Sequence, residues 1–200
     1  MPISRERFNE GLSIEQFIDE MEVNKDKLVE NIDANTFSAE DLKFFETHPV
    51  NIAAIGEDWC TDVIQFLPVV AKLAQDVPSV TLKVFKRDDN HDLIDQYLKD
   101  GEFRSIPVFV LYDENWNELG HFIERPADVT RQMGEETRRF AQANPQLEGA
   151  NRTYDNMPDE TRTAVRANSS RFRWDNLLAW NKIFLDELKE MIAGGVAAAR

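Results

Sequence analysis

A short apolar run that leads through a glycine into a helix restricts the fold of this chain most strongly. Residues 50–55 are almost continuously apolar, which is typical of a strand covered on both faces. The run ends at Gly56, and from Val63 to Ala74 the apolar residues recur at helical spacing. Pro68 lies inside this helix and is expected to kink it. A buried strand followed directly by an amphipathic helix predicts the first half of a parallel βαβ unit.

The segments that follow complete an α/β core. Residues 80–85 alternate as a second strand, and the apolar residues between 93 and 98 mark a short helix. Residues 108–112 and 119–123 flank a polar turn and predict an antiparallel hairpin, and residues 128–143 predict a closing helix. The order βαβαββα predicts an α/β fold with a mixed four-stranded sheet and helical extensions at both ends.

Three regions are expected along the chain. Residues 1–48 predict an N-terminal helical extension, in which Ser38 is expected to cap a helix. Residues 49–143 hold the α/β domain, and residues 144–200 hold a linker and a C-terminal amphipathic helix. Large apolar residues are rare over 142–170, which favours linker or loosely attached structure there.

An apolar stripe on the last helix needs a covering surface. It contains Leu177, Trp180, Phe184, Leu188 and Met191. Either this stripe packs on its own domain, or it packs across a twofold axis and forms a homodimer.

Composition narrows the function classes. A single cysteine, Cys60, leaves no pair for an internal disulfide, as expected in a reducing cytoplasm. The formal charge of −14 disfavours nucleic acid and anionic membrane surfaces as partners, and the sequence has no long uncharged apolar run. The three histidines lack metal-ligand spacing alongside Cys60, so we expect neither a metal nor a cofactor.

The surroundings of Cys60 resemble the thioredoxin superfamily. Trp59 directly precedes Cys60, Pro68 follows eight residues later, and Ser105-Ile106-Pro107 stands before the third strand. A closer resemblance is to a thioredoxin-like family with the motif Trp-Cys-x-Asp, here Trp59-Cys60-Thr61-Asp62. Further features agree over roughly residues 10–140, namely Gly11-Leu12-Ser13, Arg87-Asp88, Tyr97-Leu98, Gly101 and Arg125-Pro126.

The resemblance implies a redox site at Cys60, and the residues around it indicate what affects the protonation of its sulfur. A sulfur at a helix N-terminus faces unpaired amides and the positive end of the helix dipole, which favour a thiolate. Asp58 and Asp62 oppose this effect if they lie close. The resemblance also implies that Pro107 follows a cis peptide bond beside Cys60, and that Trp59, Thr61, Ile106 and Pro107 contact a partner. Extended peptides pair with the backbone before this proline in the family fold.

Two departures from the family pattern change the expected chemistry. Val63 stands where a thioredoxin has its second cysteine, so no intramolecular thiol can resolve a mixed disulfide and dithiol reductase activity is excluded. Ala54 stands where many thioredoxins have a buried acid that accepts protons.

Two main hypotheses follow. In the first, the protein is a monothiol thiol-disulfide exchange protein, with Cys60 and Asp62 as catalytic residues and a protein disulfide or a low-molecular-weight thiol as partner. In the second, it is a redox-silent binding module that keeps the groove between Trp59 and Pro107 for a peptide or protein partner. Independently of both hypotheses, Cys60 can be a buried packing residue and Asp62 a helix-stabilising acid.

Overall fold

A mixed four-stranded sheet lies at the centre of the computed structural model, which describes residues 3–194. The strands are β1 (Val50–Gly56), β2 (Val80–Lys86), β3 (Val108–Tyr112) and β4 (Glu118–Ile123), in the order β2-β1-β3-β4. β2 runs parallel to β1, whereas β3 pairs antiparallel with both β1 and β4. The predicted α/β core with a mixed four-stranded sheet is confirmed.

The described residues form nine α-helices, and three of these begin at a serine whose side chain caps the first turn. They are α1 (Arg5–Asn9), α2 (Ile14–Glu20), α3 (Lys25–Ala34), α4 (Ala39–Thr47), α5 (Thr61–Asp76), α6 (His91–Ile94), α7 (Ala127–Ala143), α8 (Asp159–Asp175) and α9 (Leu177–Gly194). Ser13 and Gln16 form a reciprocal capping box at α2. The Ser38 side chain accepts the backbone N–H of Asp41, so its predicted role as N-cap is confirmed.

The chain divides into two compact units. One unit contains the described residues up to Arg125 together with those from Asn181 onward, and the other spans Pro126–Trp180. The candidate site lies entirely in the first unit. The predicted boundaries at 48/49 and 143/144 stay predictions.

Helix α5 is supported at Pro68 by a side chain from α3. Pro68 has no N–H, so the carbonyl of Ile64, four residues earlier, lacks its usual helical donor. The side-chain amide of Asn31 donates to that oxygen at 2.8 Å, and Asn31 is fully buried. The amide of Asn35 in turn donates to the Asn31 carbonyl, and Asn181 on α9 donates to the Asn35 side chain. This polar chain joins α9 and the N-terminal region to the helix that follows Cys60.

The C-terminal part of α9 packs into the core of the first unit. The ring of Phe184 lies 5.0 to 5.1 Å, between centroids, from the rings of Phe66 on α5, Phe109 on β3 and Phe122 on β4. Lys189 donates to the nearly buried carboxylate of Asp41 at 2.6 Å. The lower part of the apolar stripe is therefore covered by the chain itself. A homodimer through this helix stays a prediction.

The segment between α1 and α2 extends the sheet at its β2 edge. The backbones of Leu12 and Val84 exchange two hydrogen bonds of 2.9 Å. A Cβ atom at Gly11 would lie 2.7 Å from the Phe85 ring and 2.9 Å from the Lys83 Cβ, so this approach requires a glycine. The N-terminal region is thus bound to the sheet.

Trp116 in the β3–β4 turn packs on its own chain. Its ring is stacked on Tyr112 at 4.8 Å between centroids, and its Nε1 donates to the carbonyl of Ile3 at 2.8 Å. Tyr112 is also hydrogen-bonded to Tyr97, and the pair is buried.

The second unit contains more helix than the composition predicts. Residues 159–175 form α8, although the segment up to residue 170 is expected to be linker or loosely attached. Polar pairing explains the difference, because Asn168 donates to the buried carboxylate of Glu136 on α7 at 2.8 Å. Residues 159–170 are therefore helical and not an irregular linker, whereas the alternative of loosely attached structure stays a prediction.

Candidate functional site

Cys60 occupies the N-cap of α5. Its backbone is extended, with φ −84° and ψ 118°, and its carbonyl accepts the N–H of Ile64 at 3.0 Å as the first bond of the helix. The side chain is partly exposed. The sulfur therefore lies at the helix end where backbone amides point outward and the helix dipole is positive.

The loop before β3 lies directly against this sulfur. The Ile106–Pro107 peptide bond is cis, and the Cys60 thiol donates to the carbonyl of Ile106 at 3.5 Å. Ile106 and Pro107 are themselves buried, with Ile106 only 6% exposed. The carbonyl of Pro107 accepts the N–H of Glu124, just beyond β4, at 2.8 Å. The hydrogen bonds of these two residues thus connect the start of α5 to the end of β4.

Asp62 forms a nearly buried ion pair at the same place. It is the second residue of α5 and is 7% exposed. Its Oδ2 accepts a bond of 2.6 Å from Nη1 of Arg125, which follows β4. Pairing with a cation compensates the cost of removing a carboxylate from water.

Trp59 is the exposed aromatic residue of the site. It is 50% exposed, and the Arg87 guanidinium lies 4.9 Å from its ring centroid. Arg87 follows β2, is paired with Asp88 at 2.8 Å, and donates its backbone N–H to Gly56. The residue that follows β2 therefore contacts the ring of Trp59 in a cation–π arrangement.

Two further acids in the β1–α5 loop have their own partners. Asp58 accepts the backbone N–H groups of Glu22 and Val23 at 2.7 and 3.1 Å, which fastens it to the connection between α2 and α3. Glu57 accepts the N–H of Asp88 at 2.8 Å. Burial raises the pKa of Glu57 above its ordinary value, and the bond from Asp88 only partly offsets this effect.

The residue in the place of a second cysteine is part of the core. Val63 is 1% exposed, and a Cβ atom at Gly56 would lie 2.8 Å from its Cγ2. Ala54 is likewise buried in β1. Apolar packing therefore fills the two positions where the family pattern has a thiol and an acid.

The predicted site residues lie on two loops that meet. Trp59, Cys60, Thr61 and Asp62 lie at the β1–α5 junction, and Ile106 and Pro107 lie on the loop that contacts the sulfur. Trp59 and Thr61 are exposed, whereas Ile106 is mostly covered. The roles assigned to these residues stay predictions.

The sequence connects Arg125 with the site only through the family resemblance, and no pattern in it points to Glu57 or Asn31. The pairing of Arg125 with Asp62 spans 63 positions. No local periodicity reports such a contact.

Residues 3–194 contain no group of three or more His, Cys, Asp and Glu side chains arranged to hold a metal ion. Within the same range, no helix is long and apolar enough to cross a membrane.

Comparison with known proteins agrees with this geometry. A family model described as thioredoxin matches residues 11–143. The chain belongs to the thioredoxin family. The match contains the sheet, the loop before β3 and the whole β1–α5 junction. No curated protein sequence matches the chain.

Solved structures are similar in fold over most of this chain. An HIV epitope scaffold is similar with a TM-score of 0.60 and 18% identity, over 94% of this chain and 95% of that one. A protein of unknown function from Pseudomonas aeruginosa is similar with a TM-score of 0.58 and 19% identity, over 88% of this chain and 99% of that one. At this level of identity the likeness shows the fold alone.

Proposed function

We propose that this thioredoxin-family protein is a monothiol thiol-disulfide exchange protein that acts through Cys60. The observation that carries the proposal is the position of the sulfur. The sulfur belongs to the N-cap residue of α5, is partly exposed, and lies 3.5 Å from the carbonyl that precedes a cis proline. A thiolate is favoured at such a helix end, and the thiolate is the nucleophile in disulfide exchange.

The reaction needs one disulfide and one external thiol. The Cys60 thiolate attacks one sulfur of the substrate disulfide, a new S–S bond forms, and the other sulfur leaves as a thiolate that takes up a proton. A thiolate from a second molecule then attacks the mixed disulfide and releases Cys60. Overall one disulfide is exchanged for another: one substrate sulfur leaves as a thiol, and the external thiol, of low molecular weight or from a protein, forms a disulfide with the other substrate sulfur.

The external thiol is required because Val63 occupies the position of a resolving cysteine. Trp59 and Thr61 are exposed beside the sulfur and are the proposed contacts to the partner, together with the backbone at Ile106 and Pro107. A reducing compartment such as the cytoplasm would supply the second thiol.

Alkylation of the only cysteine tests the proposal directly. The native protein is treated with iodoacetamide at pH 7, and the same chain in denaturant serves as the matched reference, because both contain Cys60 alone. We expect the native rate to exceed the unfolded rate by about tenfold, since a lowered thiol pKa increases the thiolate fraction. A native rate equal to or below the unfolded rate contradicts the proposal.

Exchange activity provides the second measurement. A glutathionylated peptide with excess reduced glutathione is the substrate. The native protein should accelerate deglutathionylation, and Cys60→Ser should abolish that acceleration.

A redox-silent binding module is the second candidate. It is favoured by the apolar residues Val63 and Ala54 and by the exposed ring of Trp59 supported on Arg87. In that case Cys60→Ala leaves the affinity for a captured partner unchanged under reductant, whereas Trp59→Ala weakens it. Capture that requires the sulfur and is lost under reductant argues against the module and for exchange.

A further inference from the structure

The carboxylate nearest in sequence to the sulfur on α5 presents an electrostatic problem. Asp62 lies two residues after Cys60 in the first turn, and its side chain is 10% exposed. The N-terminus of a helix stabilises the negative charge of Asp62. That charge, however, disfavours a second negative charge on the sulfur at the same helix end. An unpaired Asp62 would therefore favour the neutral thiol.

Arg125 is the cation that pairs with the carboxylate of Asp62. Its guanidinium donates to Oδ2 of Asp62 at 2.6 Å, with 24% of the Arg125 side chain exposed. The preceding residue, Glu124, donates its N–H to Pro107, and the carbonyl of Ile106 accepts the Cys60 thiol. The cation is thus held on the chain segment that is hydrogen-bonded to the loop beside the sulfur.

The other charged groups near the β1–α5 junction have separate partners. Asp58 accepts two backbone N–H groups, and Glu57 accepts one from Asp88. Arg87 pairs with Asp88, and Lys99 pairs with Glu124. Asp62 and Arg125 are the opposed pair that involves the first turn of α5 itself.

We propose that Arg125 is a positioning residue that neutralises Asp62 and thereby favours the thiolate of Cys60. This inference rests on the proposed function, because it assigns the residue that tunes the same sulfur. Arg125 acts through Asp62 and takes no part in bond formation. Its charge, more than its shape, is the property that matters.

The test measures the rate of iodoacetamide alkylation of Cys60 between pH 5 and pH 10 in folded protein, at constant ionic strength. Iodoacetamide is uncharged, so the rate follows the thiolate fraction rather than attraction of the reagent. Arg125→Gln should move the midpoint about one unit toward high pH, which is about a tenfold loss of rate below both midpoints. Arg125→Lys keeps the charge and should stay within about threefold of the native rate.

Asp62→Asn provides the reciprocal change. It should move the midpoint toward low pH, because Arg125 then acts on the sulfur unopposed. The double variant Asp62→Asn/Arg125→Gln should return close to the native profile, which a purely structural role of the pair does not predict. If Arg125→Gln does not fold, the double variant is compared with Asp62→Asn instead, and loss of Arg125 in that background should move the midpoint back toward high pH.

Several results overturn the inference. An unchanged pH profile in Arg125→Gln with a lowered melting temperature makes the pair structural only. If Cys60 is alkylated as slowly in Arg125→Lys as in Arg125→Gln, the charge of Arg125 has no role. If the pH profile of Asp62→Asn equals that of the native protein, Asp62 has no role. Failure of the proposed function is distinguishable, because it appears as a native rate no faster than that of the unfolded chain, whether or not the variants shift the midpoint.

Discussion

Replacing Asn31 should reveal how α5 tolerates a proline in its interior. The Asn31 amide donates at 2.8 Å to the Ile64 carbonyl, which Pro68 leaves without a helical donor. Asn31→Ala removes that donor in a fully buried environment. Leaving a buried carbonyl unpaired costs about 1 to 3 kcal/mol, and we expect a loss of about 2 kcal/mol in the free energy of unfolding.

Pro68→Ala is the background in which the same substitution should matter less. An alanine at 68 has an N–H that can donate to Ile64, so the carbonyl no longer depends on α3. We expect Asn31→Ala to cost about 1 kcal/mol there, which leaves a coupling of about 1 kcal/mol between the two positions. That difference isolates the hydrogen bond from the packing of the side chain.

Urea unfolding followed by circular dichroism measures all four proteins of this cycle. Val29→Ala, at an exposed position of the same helix, controls for local helix effects and should change stability little. An equal cost of Asn31→Ala with proline and with alanine at 68 would refute the reasoning. It would mean that Asn31 stabilises the fold by packing alone.

Three pH-dependent effects follow from buried ionisable groups. Burial raises the pKa of Glu57, so the ionised carboxylate lowers the stability of the fold above that raised pKa. In thermal melts at pH 7, Glu57→Gln should therefore be more stable than the native protein. This advantage should disappear as the pH falls through the raised pKa of Glu57. Burial alone would raise the pKa of Asp41, but Lys189 and Ser38 outweigh it and hold the pKa below its usual value. Asp41→Asn should therefore lower the melting temperature at pH 7, with the difference closing as the pH falls through that depressed pKa; a constant difference would argue against the ion pair. Burial raises the pKa of both Tyr97 and Tyr112, and in Tyr97 the hydrogen bond to Tyr112 raises it further. The absorbance of these two tyrosines at 295 nm should therefore change only when alkali unfolds the protein. Reversible ionisation of either tyrosine in the folded protein would contradict this.

Local patterns in the sequence were sufficient to predict the central architecture. The apolar run at 50–55 and the alternation at 80–85 correspond to β1 and β2, because burial on one or both faces imposes a period on neighbouring residues. Ser38 was predictable as a cap because its hydrogen-bond partner, the N–H of Asp41, is only three residues away. The position of Cys60 at the start of α5 follows from the change of period there.

The polar contacts of the site could not be predicted in this way. Arg125 and Asp62 meet because two separate elements end at the same edge of the fold, and nothing near either residue signals the other. Asn31 likewise faces a carbonyl whose need for a donor arises 37 positions later, at Pro68. Helix α8 could not be predicted in this way either, because few large apolar residues mark it and polar pairs such as Asn168 with Glu136 have no period that a single sequence displays.

The route of the chain through the first unit affects how it is made. Phe109 and Phe122 receive their covering ring from Phe184, which leaves the ribosome only after all of the intervening residues 126–180. Until then the rings of Phe109 and Phe122 lack this contact. The sheet can therefore complete its core only late in translation, and during that interval it is a natural substrate for chaperones that recognise exposed aromatic surface.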